Sequence, residues 1–205
     1  MKQGFTLIEM TMVLLIVGLL VGSFVIPLGA QIDINNIKST DQRLAQIREA
    51  LLGYAARNRR LPCSASNATT GIEDSATCND EKFLPWAVLG VDGKDGWGNT
   101  YRYRVDTKHT AIGAYNATIP APADEIEVKN KLDTTTYIKN AIAIIYSYGK
   151  NKQPDALNIP IILLDPDSKT YAQDDFAPNN FDDRLVWLSD NELVSRLAAA
   201  GFRIK

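Results

Sequence analysis

Hydrophobic positions follow two different rules along this chain. From Met10 to Ile32 there is no charged residue over 23 positions. At about 1.5 Å per residue, a helix of that length matches a hydrocarbon layer of about 30 Å. Beyond Ile32 the apolar residues thin to a single stripe, Ile37, Leu44, Ile47, Leu51 and Tyr54, at helical spacing. Arg57, Arg59 and Arg60 suit a helix C-terminus, and Pro62 ends the pattern. The two stretches predict one helix over residues 5–60, its first half in a membrane and its second half packing one face on a globular body. Pro27, beside Gly29, predicts a kink or local melting across residues 22–30. Gly18 and Gly22 form a Gly-x-x-x-Gly pair that lets helix backbones approach closely in lipid.

The remaining 170 or so residues suffice for one domain with a core. Residues 61–84 are rich in Ser, Thr, Asn, Asp and Gly, which predicts a loop. Short apolar and aromatic runs predict strands at 101–105, 126–128, 138–148, 159–164 and 185–188. Ser189 and Glu192 fit a capping box ahead of Leu193, Val194, Leu197 and Ala198, and Gly201 can end that helix. The expected fold class is α+β: a long N-terminal membrane-spanning spine helix packed on a mainly antiparallel sheet, with a short C-terminal helix.

The order of features at the N-terminus is not that of a signal peptide, whose cleavage site follows its apolar core. Here Gly4-Phe5-Thr6-Leu7-Ile8-Glu9 precedes the apolar run. This arrangement closely resembles the processing site of type IV pilins and type II secretion pseudopilins. The resemblance implies cleavage between Gly4 and Phe5 by a prepilin peptidase and methylation of the new Phe5 amine. It implies a leader of residues 1–4, a transmembrane and assembly segment of residues 5–33, and a periplasmic pilin-like domain of residues 34–205. A carboxylate near the start of a membrane helix is costly. The resemblance gives Glu9 a compensating partner, the free amine of a neighbouring subunit, and hence a role in assembly. A second match lies further on: Asp95-Gly96-Trp97-Gly98-Asn99, then Tyr101-Arg102-Tyr103, is similar to the Asp-Pro-Trp-Gly-Asn turn and strand of major pseudopilins, with glycine in place of proline. A structural role is expected, with the Trp97 ring in the core.

Cys63 and Cys78 are the only cysteines. An even count in an exported chain predicts a disulfide, against the alternative of two free thiols in a reducing compartment. Two cysteines and the single His109 are too few for a structural zinc site. Asp155, Asp165, Asp167, Asp174, Asp175, Asp182 and Asp183 offer hard oxygen donors. Major pseudopilins bind calcium in a C-terminal loop, and this region is similar in position and acidity. That leaves Asp165, Asp167, Asp182 and Asp183 as calcium candidates, without EF-hand spacing; the simpler expectation is solvated loop acids and no cofactor.

Net charge is −2, unevenly spread. Residues 38–60 carry six Lys/Arg and two Asp/Glu, net +4, whereas residues 153–192 carry two and nine, net −7. A basic shaft and an acidic outer face could attract between subunits, or simply be solvated surfaces. Flanking charge does not set orientation, since Lys2 is alone on one side and Lys38, Arg43 and Arg48 lie on the other. N-in, C-out topology rests on the resemblance and the cysteines.

These features point to a structural subunit, not an enzyme: there is one histidine, no Gly-x-Ser-x-Gly elbow and no P-loop. The expectation is a minor pilin or pseudopilin in the bacterial inner membrane that assembles into a type IV pilus or a type II secretion pseudopilus. Its implied partners are the prepilin peptidase, other pilin or pseudopilin subunits, the inner-membrane assembly platform and membrane lipid. The alternative is a pilin-like ligand-binding subunit for adhesion, DNA uptake or secretion-substrate recruitment. The acidic C-terminal third and the lack of interleaved exposed aromatics argue against nucleic acid.

Overall fold

A computed structural model describes residues 4–78, 80–116, 118–124, 126–130, 135–155, 158, 169–177 and 180–202. It opens with helix α1, Leu7–Asn58, 52 residues in one unbroken run. The local melting expected around Pro27 does not occur, because the helix assignment continues through residues 22–30. Thr6 caps the N-terminus, and Arg59, at φ 58°, closes the C-terminus in the left-handed conformation.

The membrane-spanning character expected of this helix is overturned. Among the described residues, no helix is long and apolar enough to cross a membrane. Past Gly29 the helix turns polar at Gln31, Asp33, Asn35 and Asn36.

Among the described residues, seven strands form two sheets. The first has the order β1 (Lys82–Phe83), β2 (Arg102–Val105), β5 (Ala143–Ser147), β7 (Arg184–Leu188), all antiparallel. The second has the order β4 (Thr136–Ala141), β3 (Ile126–Asn130), β6 (Thr170–Gln173), with β3 and β6 parallel. The single strand expected over 138–148 is therefore two. Asn140, at φ 58°, bends the chain, and the backbone leaves one sheet at Ala141 to join the other at Ala143. The strand expected at 159–164 lies outside the described residues.

Each face of the first sheet has its own core. On one side α1 contributes Leu44, Ile47, Leu51, Leu52 and Ala55, which meet Tyr103, Val105, Ala143, Ile145 and Leu188. Two further helices follow: α2 (Trp86–Leu89), and α3 (Asp190–Ala199), capped by Ser189, which adds Leu193 and Leu197 to this core. On the other side Ile144, Tyr146 and Leu185 pack against Ile126, Val128 and Tyr171 of the second sheet. Between the sheets the Glu81 carboxylate accepts hydrogen bonds from the Tyr146 and Tyr171 hydroxyls, the latter at 2.8 Å, and sits 3.4 Å from Arg102.

The Asp95–Asn99 turn docks α1. Asp95 Oδ1 accepts from the backbone N–H groups of Trp97 and Asn99 at 2.9 and 2.7 Å. Its Oδ2 accepts from the Asn99 amide and the Ser147 hydroxyl. The Gly96 N–H donates to Thr40 on α1 at 2.9 Å, and Arg43 donates to the Lys94 and Asp95 carbonyls. Gly96 lies so close to the Asn36 backbone that a Cβ there would collide with it. The aromatic core in this region is Tyr101 and Tyr103; Trp97, expected inside, is half-buried and belongs to neither cluster.

Candidate functional site

Three features carry chemistry. The first is the start of α1. Gly4, Phe5 and Thr6 are exposed and precede the helix. Thr6 and Glu9 form a capping box: the Thr6 N–H and hydroxyl both donate to Glu9 Oε2 at 2.8 Å, and the Glu9 N–H donates back at 3.4 Å. Glu9 is thus fixed by its own chain one turn from Phe5. The side chains that follow are exposed on every side of the helix: Leu7 is 84 % exposed, Leu14 70 % and Leu19 70 %. A Cβ added at Gly18 or Gly22 would meet nothing. An exposed apolar surface of this extent marks a binding surface.

The second is the loop of residues 63–78, closed by a Cys63–Cys78 disulfide as the cysteine count predicts. Glu73, within it, takes two hydrogen bonds from Arg60 at 2.7 and 2.9 Å, one from the Cys63 N–H and one from the Tyr54 hydroxyl. Burial alone would raise the Glu73 carboxyl, but the Arg60 and Cys63 donors outweigh it and hold the group below its ordinary range. The loop is therefore a clamp on the last turn of α1.

The third is acidic. Asp182 and Asp183, just before β7, meet Asp155 from the loop after β5, with one carboxylate oxygen of each lying within 4.8 Å of the others. The Asp155 N–H donates to Asp183 Oδ2 at 2.8 Å, and the Asp182 N–H donates to Asp155 Oδ2 at 2.7 Å. Asn158 donates to Asp183 Oδ2 at 2.9 Å and is itself held by both backbone groups of Ala172. Asp182 and Asp183 are 5 % and 2 % exposed, and the Oδ1 atom of each is buried without a hydrogen bond. Burial pushes the Asp183 carboxyl up to about 8, against the lowering by the Asp155 N–H and the Asn158 amide, and burial raises Asp182 as well; the Asp155 charge raises both. Gly149 permits the arrangement: its φ is 63°, and a Cβ would strike the Asp182 carbonyl.

Orphaned hard oxygens are suited to calcium, which takes 6–8 oxygen ligands. A bound cation would stabilise the ionised carboxylates that burial disfavours. All three are among the seven acids that the sequence offers as oxygen donors, and Asp182 and Asp183 are two of its four calcium candidates. The other two, Asp165 and Asp167, lie outside the described residues.

The charged surfaces do not stay separate. Arg48 pairs with Glu192 at 2.7 Å, Arg43 with Asp92 at 3.2 Å, and Arg60 with Glu73. The acidic third sends Arg184 back to Asp41 in a two-pronged contact at 2.8 Å. Much of the expected shaft charge is thus neutralised within the chain. A cleft beside Trp86 is lined in part by Thr69, Asp92 and Lys94, and its indole and charged side chains are engaged within the chain. Trp86 donates to the Ala68 carbonyl, Asp92 pairs with Arg43, and Lys94 donates to the Gly98 carbonyl.

Known proteins add a coarse frame. A protein of Chlamydia trachomatis is 28 % identical over 116 residues, which is 56 % of this chain and 87 % of that protein. A protein of Chlamydia muridarum is 30 % identical over 98 residues, which is 47 % of this chain and 73 % of that protein. The chain belongs to the family of these chlamydial proteins. Both carry the name "Putative outer membrane protein", and at that coarse level the family is associated with the bacterial envelope. Neither name mentions a filament. No protein-family profile matches, and no solved structure matches.

Proposed function

We propose that the chain is a structural subunit of a pilin-like filament, joined to copies or relatives of itself through the exposed start of α1. The observation that carries this reading is the division of one helix into an exposed apolar segment and a segment locked into a core. Water around so many exposed Leu, Ile and Val side chains favours their burial against another apolar surface, by about 25 cal/mol per Å². The motif at Gly4, Phe5 and Glu9 supports the same reading and supplies its chemistry. Cleavage after Gly4 creates an amine on Phe5, which is then methylated. Glu9 becomes the carboxylate that pairs with the amine of a neighbouring subunit.

This proposal includes attachment to the inner membrane before assembly, with the body facing the periplasm. The oxidised Cys63–Cys78 pair suits that compartment. Handling by a prepilin peptidase and an assembly platform belongs to the same proposal. Within it, Asp155, Asp182 and Asp183 are the residues that would hold calcium. The test is incorporation: Glu9→Ala is processed normally but recovered in filaments at least ~10-fold less than wild type. Wild-type incorporation of that variant would remove the pairing role.

A further inference from the structure

His109 is the only histidine of the chain and is fully buried, in a short turn between β2 and β3. Its Nδ1 lies 3.0 Å from the Tyr115 hydroxyl, and that hydroxyl lies 3.3 Å from the His109 carbonyl. On the other side its Nε2 faces Asp190 Oδ1 at 3.7 Å, and neither atom has a hydrogen bond. Asp190 is the first residue of α3. Proton counting explains the mismatch. If the Tyr115 hydroxyl donates to the His109 carbonyl, Nδ1 must carry a proton to meet the hydroxyl oxygen, and a neutral ring then turns a bare Nε2 lone pair toward a carboxylate. If the hydroxyl donates to Nδ1, the neutral ring carries its proton on Nε2, 3.7 Å from Asp190, and the hydroxyl's 3.3 Å contact with the His109 carbonyl is lost. One added proton completes every link: Nε2–H to Asp190, Nδ1–H to Tyr115, and the Tyr115 O–H to the His109 carbonyl.

We infer that His109 and Asp190 form a one-proton latch between this turn and the N-terminus of α3, open at 3.7 Å without the proton and closed by a hydrogen bond with it. Other charged groups set where the proton goes on. Burial pushes His109 down to about 4, partly offset by Asp106, the Pro120 carbonyl and Asp124, while Lys108 adds to the depression. Burial raises Asp190, and Asp106 raises it further. The proton is therefore taken up in the acid range and shared by the pair. The consequence falls on α3, whose Glu192 and Arg196 pair with Arg48 and Glu49 of α1.

The test follows the imidazole nitrogen shifts by NMR from pH 7 to pH 4 in the full chain, where a lone histidine makes assignment direct. Amide-exchange protection factors at residues 191–193 are measured alongside. The latch predicts that Asp190→Asn lowers the His109 midpoint by at least one pH unit, a tenfold loss of proton affinity. It also predicts that protection of α3 rises ~10-fold through the wild-type midpoint but not in the variant. Should Asp190→Asn fail to fold, Tyr115→Phe keeps the test open, because removing the relay must also lower the midpoint. An unchanged midpoint in the folded variant, or α3 protection that falls on acidification, overturns the latch.

Discussion

The two ends of α1 obey opposite rules. Around Leu14 the large apolar side chains are exposed, whereas Leu44, Ile47, Leu51, Leu52 and Ala55 are buried in one core with the sheet and α3. Both ends share one backbone and similar side chains. The second is a structural part of the body, and the first leaves its large apolar side chains exposed. Composition alone does not separate these roles; the layout of partners does.

The largest test of this contrast is a matched pair of truncations. Leu51→Ala is expected to cost ~3–5 kcal/mol of stability by denaturant unfolding, since it leaves a cavity in a closed core. Leu14→Ala should change it by less than ~0.5 kcal/mol, because an exposed side chain has no packing to lose. Equal losses would mean that the exposed half is also packed.

Next comes the clamp at the buried end. Cys63→Ser with Cys78→Ser opens a loop of separation 15 and should cost about 3 kcal/mol in the chain-entropy model. The same pair of changes should free Glu73 and Arg60 and leave the first half of α1 unaffected in exchange experiments. The acidic triad gives a somewhat smaller effect. Calcium at ~100 times its dissociation constant should stabilise by about 2.7 kcal/mol, raising Tm by several degrees. Asp183→Asn should abolish the response while raising stability at neutral pH without calcium, because it removes a carboxyl whose ionisation burial disfavours.

Glu73 supplies a pH signature with a defined sign. Its carboxyl is held below its ordinary value of about 4.5, so its contribution is present above about pH 4.5 and is lost as pH falls through its folded value. Stability curves of wild type and Glu73→Gln should differ by ~1–2 kcal/mol at pH 7 and converge in acid. The smallest effect is expected from deleting residues 1–33, which should leave Tm of the body within ~2 °C.

Much of this layout is legible from sequence because it is written locally. The stripe Leu44, Ile47, Leu51 and Tyr54 specifies a packed helix, and Ser189 with Glu192 specifies the start of α3. The Asp95 turn is visible in its own five residues. What sequence hides is non-local. Nothing near Glu81 says that Tyr146 and Tyr171, 65 and 90 residues away, will close on it from two sheets. Nothing near Asp155 says that it will meet Asp182 and Asp183. The break at Asn140 is masked by an apolar run that reads as one strand. A membrane-spanning helix, expected from an uncharged run, is not found among the described residues.

The central claim is that the start of this chain is trimmed and then used as an interface. It is tested most directly by mass spectrometry of the N-terminus of protein recovered from cells. The account predicts a chain beginning at a methylated Phe5. A chain recovered only with Met1 at its start would contradict it.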